Sequence, residues 1–190
     1  LDLIRPDRRE LYNSLIKRKV RRATALELRP LWSDATNRSL CIDMLIELSR
    51  TSLRRSGGDR LCAASLRRLI TAALEREQGI VHLLLSPTSG RAVAGAFVAT
   101  HAGTAYYIAG GQERCSEGES AMALLLDELF EWAVESGCHT FDFEGSMQSG
   151  IAFFFRSFGA EPHPYLRLQA GRQTLAMRLQ LRRYYQHHLY

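Results

Sequence analysis

The sequence predicts an α+β domain, a mixed central sheet flanked by helices, and three observations carry that expectation. The first third shows helical apolar periodicity, the texture changes at Gly79 into three strand-like runs joined by short turns, and the remainder alternates helix with strand. A meander followed by a helix that crosses to a further strand belongs to α+β architecture. A length of 190 residues suits one domain with a substantial core.

The elements follow in order. In "RRELYNSLIKRKVRRA", Leu11, Leu15 and Ile16 form an apolar stripe opposite Lys17, Arg18, Arg21 and Arg22, which reads as a basic amphipathic helix. A second helix is expected over 34–55, with Leu40, Met44, Leu45 and Leu48 inward and "SGGD" stopping it. A third covers 61–77, with Leu66, Leu69, Ile70, Ala73 and Leu74 inward. "GIVHLLLS" is a strand, "PTSG" a turn, and "RAVAGAFVAT" and "TAYYIAGG" complete an antiparallel meander. A long helix over 120–136 places Met122, Leu125, Leu126, Leu129 and Ala133 on one face. "HTFDFEG" is the next strand, a short helix follows over 150–158, then the strand "HPYLRLQA" and a basic C-terminal helix.

Composition narrows the function classes. Cys41, Cys62, Cys115 and Cys138 are scattered, with no CxxC pair, so neither a zinc site nor a disulfide framework is expected, and the usage fits a reducing, cytoplasmic compartment. No apolar run approaches the roughly 20 residues of a membrane helix, and no secretory signal is visible. The net charge of +5 concentrates in 8–23 and 178–190. Such patches attract nucleic acid, a nucleotide cofactor or anionic lipid, unless they are simply solvated helix faces.

The stretch "FDFEGSMQSGIAFFFRSFGAEPHPYLRL" carries the candidate chemistry. Period-2 alternation puts Phe141 and Phe143 on one face of the strand and Asp142 and Glu144 on the other. Two carboxylates about 7 Å apart on one face can bind a cation, hold an amine or act as general base, or can simply cap a turn or pair with an arginine. Ser146 then leads toward a helix whose free N–H groups favour an anion. At helical spacing Ile151, Phe154, Phe155 and Phe158 share a core face, while Phe153 and Arg156 point away. Arg156 can clamp Asp142 or Glu144, or hold a substrate phosphate or carboxylate.

"YYIAGG" followed by "ALLLDELFEWAVESGCHTFDFEGSMQSGIAFFFRSFGAEPHPYLRL" resembles bacterial proteins of the GNAT superfamily, and within it the Fem-like branch related to the aminoacyl transferases that build peptidoglycan bridges. The resemblance runs from Gly79 to about Leu168, and the basic segment 8–23 resembles, more loosely, the helix between the two GNAT-like halves of that branch. It implies a GNAT-like fold and transfer of an acyl or aminoacyl group, from acyl-CoA (acetyl-CoA) or aminoacyl-tRNA, onto a small-molecule or cell-wall-precursor amine, with no metal. Cell-envelope or polysaccharide biosynthesis is the setting it suggests. Glu144 and Asp142 then suit the base and amine-orienting roles, Tyr107 or Tyr165 the acid that protonates the leaving group, and Ser146, Phe153 and Arg156 the substrate side.

The resemblance also places a phosphate-binding loop at "GGQERCSEGESAMA", hence Gly110, Gly111, Arg114, Gly118 and Ser120 as cofactor-binding residues. CoA-dependent members carry Arg/Gln-x-x-Gly-x-Gly/Ala there. In this chain Arg114 and Gly118 stand one residue too far apart, and Glu117 and Glu119 sit where phosphates would dock. Fem-type proteins lack that loop too, so both donors stay open. The expected organisation is one domain, helical over 1–78, sheet core over 79–170 and basic helix over 171–190. A chain opening on Leu1 reads as the C-terminal half of a longer protein, pairing with a second GNAT-like half. Two alternatives stand beside the transferase: a catalytically silent half that binds or scaffolds, and an RNA-binding module. For the latter, Tyr184, Tyr185 and His187 are the only aromatic hint.

Overall fold

A computed structural model describes residues 1–5, 7–55, 61–144 and 149–164. The predicted strand at 163–170, apart from its first two residues, and the basic helix at 171–190, with Tyr165 and Ser146, lie outside the described residues.

Among the described residues five strands form one sheet in sequence order: β1 (Arg29–Trp32), β2 (Gly79–Leu85), β3 (Ala92–His101), β4 (Thr104–Gln112) and β5 (Thr140–Asp142). The first four run antiparallel, and β5 joins β4 in parallel after the crossover helix α4 (Ser116–Glu135). The segment 1–78 is therefore not purely helical, because β1 extends the meander at its edge. Pro30 lacks an N–H to donate, which suits an edge strand and hides the strand from periodicity.

Alternation along the strands sorts the core into two layers. Leu84, Ala94, Ala96, Val98 and Ala105 face α1 (Ser14–Ala25) and α4. Val81, Leu83 and Phe97 face α2 (Arg38–Arg55) and α3 (Ala63–Glu75). α4 buries Leu125, Leu126, Leu129 and Ala133, as its periodicity predicts. Two inward assignments fail on the other layer: Leu40 is 54% exposed and Leu69 49% exposed. Leu40 lies in the first turn of α2, which begins at Arg38 rather than 34, after an Asp34–Asn37 turn in which Asp34 Oδ1 accepts the Thr36 and Asn37 N–H groups. Leu69 precedes Ile70 on α3, and Ile70 takes the buried position.

The aromatic run forms α5 (Ser149–Arg156) and the turn after it. Phe158 is fully buried and packs edge-on to Phe130 and Tyr12, while Phe154 and Phe155 are half-buried. Ile151 is exposed and not core, because α5 rests on the domain only through its C-terminal part.

α1 is held at its start. Asn13 caps it, accepting the Ile16 N–H at 2.9 Å, and bonds Ser157 through its side-chain amide and its backbone N–H, both at 2.9 Å. Beside it, Asp127 of α4 accepts the Tyr12 hydroxyl at 2.7 Å and Arg9 through Nε and Nη2 at 3.1 and 2.9 Å. Arg8 reaches Glu131 one turn further along α4, its guanidinium over the Phe130 ring.

On the other layer α2 crosses β4 at Gly111, where a Cβ would lie 2.5 Å from the Leu48 carbonyl oxygen. Since α2 is pinned to the end of β4 by the Ser52 hydroxyl on the Gln112 N–H, it has little room to give. Gly111→Ala is expected to destabilise the domain by about 1–3 kcal/mol through overpacking. A denaturation midpoint equal to wild type would show that α2 yields freely.

Candidate active site

The sheet opens where β4 and β5 part. Their parallel pairing ends at Tyr106 and Asp142, yet β4 runs on to Gln112. Among the described residues no strand lies beside 107–112 on that edge. Two residues past the last pair, β4 bulges: Phe97 faces Ala109 and Val98 faces Tyr107, leaving Ile108 as the extra residue. A bulge re-aims the strand and sharpens its twist, and bulges collect beside functional sites.

Across the gap the chain turns sharply. Glu144 adopts φ +58, a left-handed conformation uncommon for a side chain that is not glycine, and its N–H bonds back to Asp142 Oδ1 at 2.7 Å. Asp142 thus holds the turn that presents Glu144. Both carboxylates are exposed and Phe141 and Phe143 are buried, but β5 ends at Asp142, short of the predicted strand, so alternation accounts for Asp142 while the left-handed turn, not the pleat, carries Glu144. Phe143 stacks on Phe155 at 4.3 Å, and the Tyr107 ring closes the group at 5.9 Å from Phe155 and 6.4 Å from Phe143. This aromatic wedge occupies the layer just inside the opening.

Tyr107 is half-buried, with its hydroxyl beside Gly110 in the space a side chain there would take. Desolvation raises it above the ordinary phenol range, so it is protonated at neutral pH. Arg156 makes no ion pair with Asp142, Glu144 or any other described residue, so the clamp expected from its spacing is not formed. It is exposed at the end of α5, and Phe153 is 62% exposed on the same helix.

β4 leads through Gln112 into the wall of a cavity of about 650 Å³ at the start of α4. Arg114, Cys115, Glu119 and Ser120 form one side; Leu15, Arg18, Lys19 and Arg22 of α1 form the other. Cys115 is the N-cap residue, its Sγ accepting the Gly118 N–H at 3.2 Å. The helix begins at Ser116, four residues before the expected start, so the predicted loop is already its first turn. Gly110, Gly111 and Gly118 have their bare sides filled by Tyr107, α2 and the Glu113 backbone respectively. Of the five residues expected to bind cofactor, only Arg114 and Ser120 line the cavity. The sequence places Arg18, Lys19 and Arg22 in a basic patch that attracts nucleic acid, a nucleotide cofactor or anionic lipid, but does not assign them to this site. Their signal was the acid-free run "KRKVRR", but its position opposite the start of α4 is set by tertiary packing. Four cations face one carboxylate, Glu119, and none of the four has an ion-pair partner among the described residues.

Residues 12–161 match the family described as acetyltransferase (GNAT) domain. The chain belongs to that GNAT family. By family it is an acyltransferase domain, and the mixed sheet flanked by helices is the GNAT fold that the resemblance implied. Solved structures agree in fold. FemX superposes with a TM-score of 0.67 at 13% identity over 83% of this chain and 57% of its own, so this chain spans little more than half of FemX. A predicted acetyltransferase from Clostridium acetobutylicum, solved with acetyl-CoA, gives 0.60 at 15% identity, covering 75% of this chain and 96% of that one. The aminoglycoside N-acetyltransferase AAC(6')-Iy in complex with CoA gives 0.56 at 11% identity, covering 77% and 95%. No curated protein sequence matches the chain. Among the described residues of this GNAT domain no helix is long and apolar enough to cross a membrane.

Two phenols are expected to make the fold sensitive to alkali. Burial raises Tyr107, and burial followed by the Asp127 carboxylate raises Tyr12. Unfolded, both titrate near pH 10. The stability each contributes is therefore complete below about pH 10 and is lost as pH climbs toward the folded values. Urea midpoints are expected to fall steadily above about pH 10, and less steeply in Tyr12→Phe. Identical slopes for the two proteins would exclude Tyr12 as a contributor.

Proposed function

We propose that the protein is an N-acyltransferase that takes an acyl group from a phosphate-bearing donor and delivers it to a primary amine at the opening between β4 and β5. The observation that carries this reading is the basic cavity at the start of α4, joined to that opening by the continuous run of β4 into Arg114. Anionic groups are stabilised at a helix N-terminus by its free N–H groups and dipole, and Arg18, Lys19, Arg22 and Arg114 add full charges. Acetyl-CoA and CoA are the ligands named with solved proteins of this fold, which supports acyl-CoA as donor.

The chemistry then divides among this chain's residues. The amine lone pair attacks the thioester carbonyl, forming the C–N bond. The edge of β4 past Tyr106, unpaired among the described residues, offers backbone N–H groups to the oxyanion. The C–S bond breaks as the tetrahedral intermediate collapses, and the departing sulfur takes a proton from the Tyr107 hydroxyl. The amine's proton leaves to Glu144, which Asp142 orients through the turn it holds. Ser146, Phe153, Arg156 and Tyr165 are proposed on the acceptor side.

A second reading keeps the reaction and exchanges the donor for an aminoacyl-tRNA ester. It is favoured by Lys17 and Arg21, which continue the cationic face of α1 outside the cavity, and by the likeness to FemX. Pairing with a second GNAT-like half, and a cell-wall-precursor amine as acceptor, go with this reading.

Cys115 lines the cavity and Cys62 does not, although both are exposed, which supplies an activity-independent test. Acetyl-CoA is expected to slow iodoacetamide labelling of Cys115 while leaving Cys62 unchanged, read by peptide mass spectrometry; protection by tRNA alone would select the second donor. With an acceptor identified from an amine panel, Tyr107→Phe and Glu144→Gln should each lower kcat about a hundredfold with the fold intact. Protection without turnover on any amine would point to the silent half.

A further inference from the structure

Three of the four cavity cations, Arg18, Lys19 and Arg22, sit on α1, a separate helix, and the side-chain bonds from the segment before α1 to α4 converge on Asp127 and Glu131, of which only Asp127 is buried. The apolar face of α1 is thin. Ile16 and Ala23 are fully buried and Val20 is packed against the same cluster. Apolar contact is non-directional, so it holds α1 against α4 without strongly resisting a slide along it. Directional bonds occur at the start of α1: Tyr12 and Arg9 on Asp127, Arg8 and Arg9 on Glu131, and Asn13 on Ser157.

The two helices run antiparallel. Tyr12 meets Asp127 near the middle of α4, whereas Arg18 and Arg22 line the cavity whose other wall is Cys115 and Glu119 at its start. With a rise of about 1.5 Å per residue, Arg22 lies roughly 15 Å along α1 from Tyr12, and Cys115 roughly 18 Å along α4 from Asp127. A slip of one turn, about 5.4 Å, would carry Arg18 off the cavity wall. Asp127 is 4% exposed, and among the described residues the side-chain donors to it, Tyr12 and Arg9, come from the N-terminal segment. No step of the proposed reaction touches it.

We propose that Asp127 is a positioning residue for the donor site: by accepting bonds from Tyr12 and Arg9 it sets the axial register of α1 on α4, and so holds Arg18, Lys19 and Arg22 in the cavity. The proposal rests on the phosphate-bearing donor reading given above, and it makes the affinity of a site at the start of α4 depend on a carboxylate three turns away.

The test is CoA binding by calorimetry at several salt concentrations, at a temperature well below every unfolding midpoint. The variants are Asp127→Asn and Tyr12→Phe, with Arg9→Ala as a milder change because the Arg9 side chain is 63% exposed. Ile70→Ala, in the core layer on the far side of the sheet, controls for general loss of stability. Asp127→Asn is expected to weaken CoA binding about tenfold and to flatten its salt dependence, with Tyr12→Phe and Arg9→Ala following in the same direction. Ile70→Ala is expected to lower the unfolding temperature and leave affinity unchanged. Equal affinity in wild type and Asp127→Asn, or an equal loss in Ile70→Ala, would overturn the positioning role. Should the wild-type protein itself fail to bind CoA, the CoA-donor reading falls and this role with it, a result distinct from either of those.

Discussion

A buried carboxylate on α4 organises the half of the molecule that carries the candidate chemistry. Asp127 would be costly to bury alone, and the fold meets that cost with a phenol and a forked guanidinium from a segment more than a hundred residues earlier. The reciprocal effect is visible in the partners, since Asp127 raises Arg9 chiefly by hydrogen bonding. Once Tyr12 is seated, its ring meets Phe158 edge-on and the next residue, Asn13, caps α1 while bonding Ser157. One docking event thus ties α1, α4 and the end of α5 together. The aromatic run after β5 would otherwise lack a lid on this side.

The second constraint is the aromatic wedge. Phe130 packs edge-on to Phe141, Phe143 and Phe158, and Phe143 stacks on Phe155. These rings fill the layer beneath β5 and the turn after it, and the pairing with β4 ends at Asp142, between the paired Phe141 and the stacked Phe143. A sheet that parts from its neighbour exposes backbone N–H and C=O groups, a liability unless something uses them. The bulge at Ile108 and the left-handed Glu144 lie on the two sides of this parting. Local irregularity of that kind persists where surrounding packing over-determines it, and here the packing is aromatic.

Much of this was legible in sequence, for physical reasons that differ by element. α4 could be read because five apolar residues, Met122 to Ala133, repeat at helical spacing over about three turns. β2 to β4 could be read because apolar runs are punctuated by Pro, Gly and Ser. β1 could not, since its four residues are too few to show alternation and Pro30 counts against a strand, leaving Trp32 as the one strand-favouring residue. Leu40 and Leu69 were placed inside by period alone, which ignores where a helix starts and which of two adjacent leucine and isoleucine side chains meets the sheet. At the site, the opposition of Phe141 to Asp142 followed from pleat geometry. The turn that links the two carboxylates did not, because it depends on one backbone N–H finding Asp142 Oδ1.

The cavity shows what a linear reading misses most. Taken along the chain, the start of α4 looks hostile to phosphate: its loop lacks the usual glycine spacing, and Glu117 and Glu119 occupy its first turn. Acids there are favoured by the helix dipole, so they stabilise α4 whatever else binds. Across the cavity the balance changes, because α1 contributes three cations and no acid. Backbone amides in a glycine loop are fixed by local conformation and bring no net charge. Side-chain cations on a neighbouring helix bring charge, but must be ordered and are only as well placed as the helix that bears them. Recognition built this way is longer in range and more sensitive to salt, and its geometry is decided by the docking of α1 rather than by the loop beside the ligand. The basic run and the irregular loop, which look unrelated in sequence, are therefore two halves of one surface, and the Asp127 contact is what joins them.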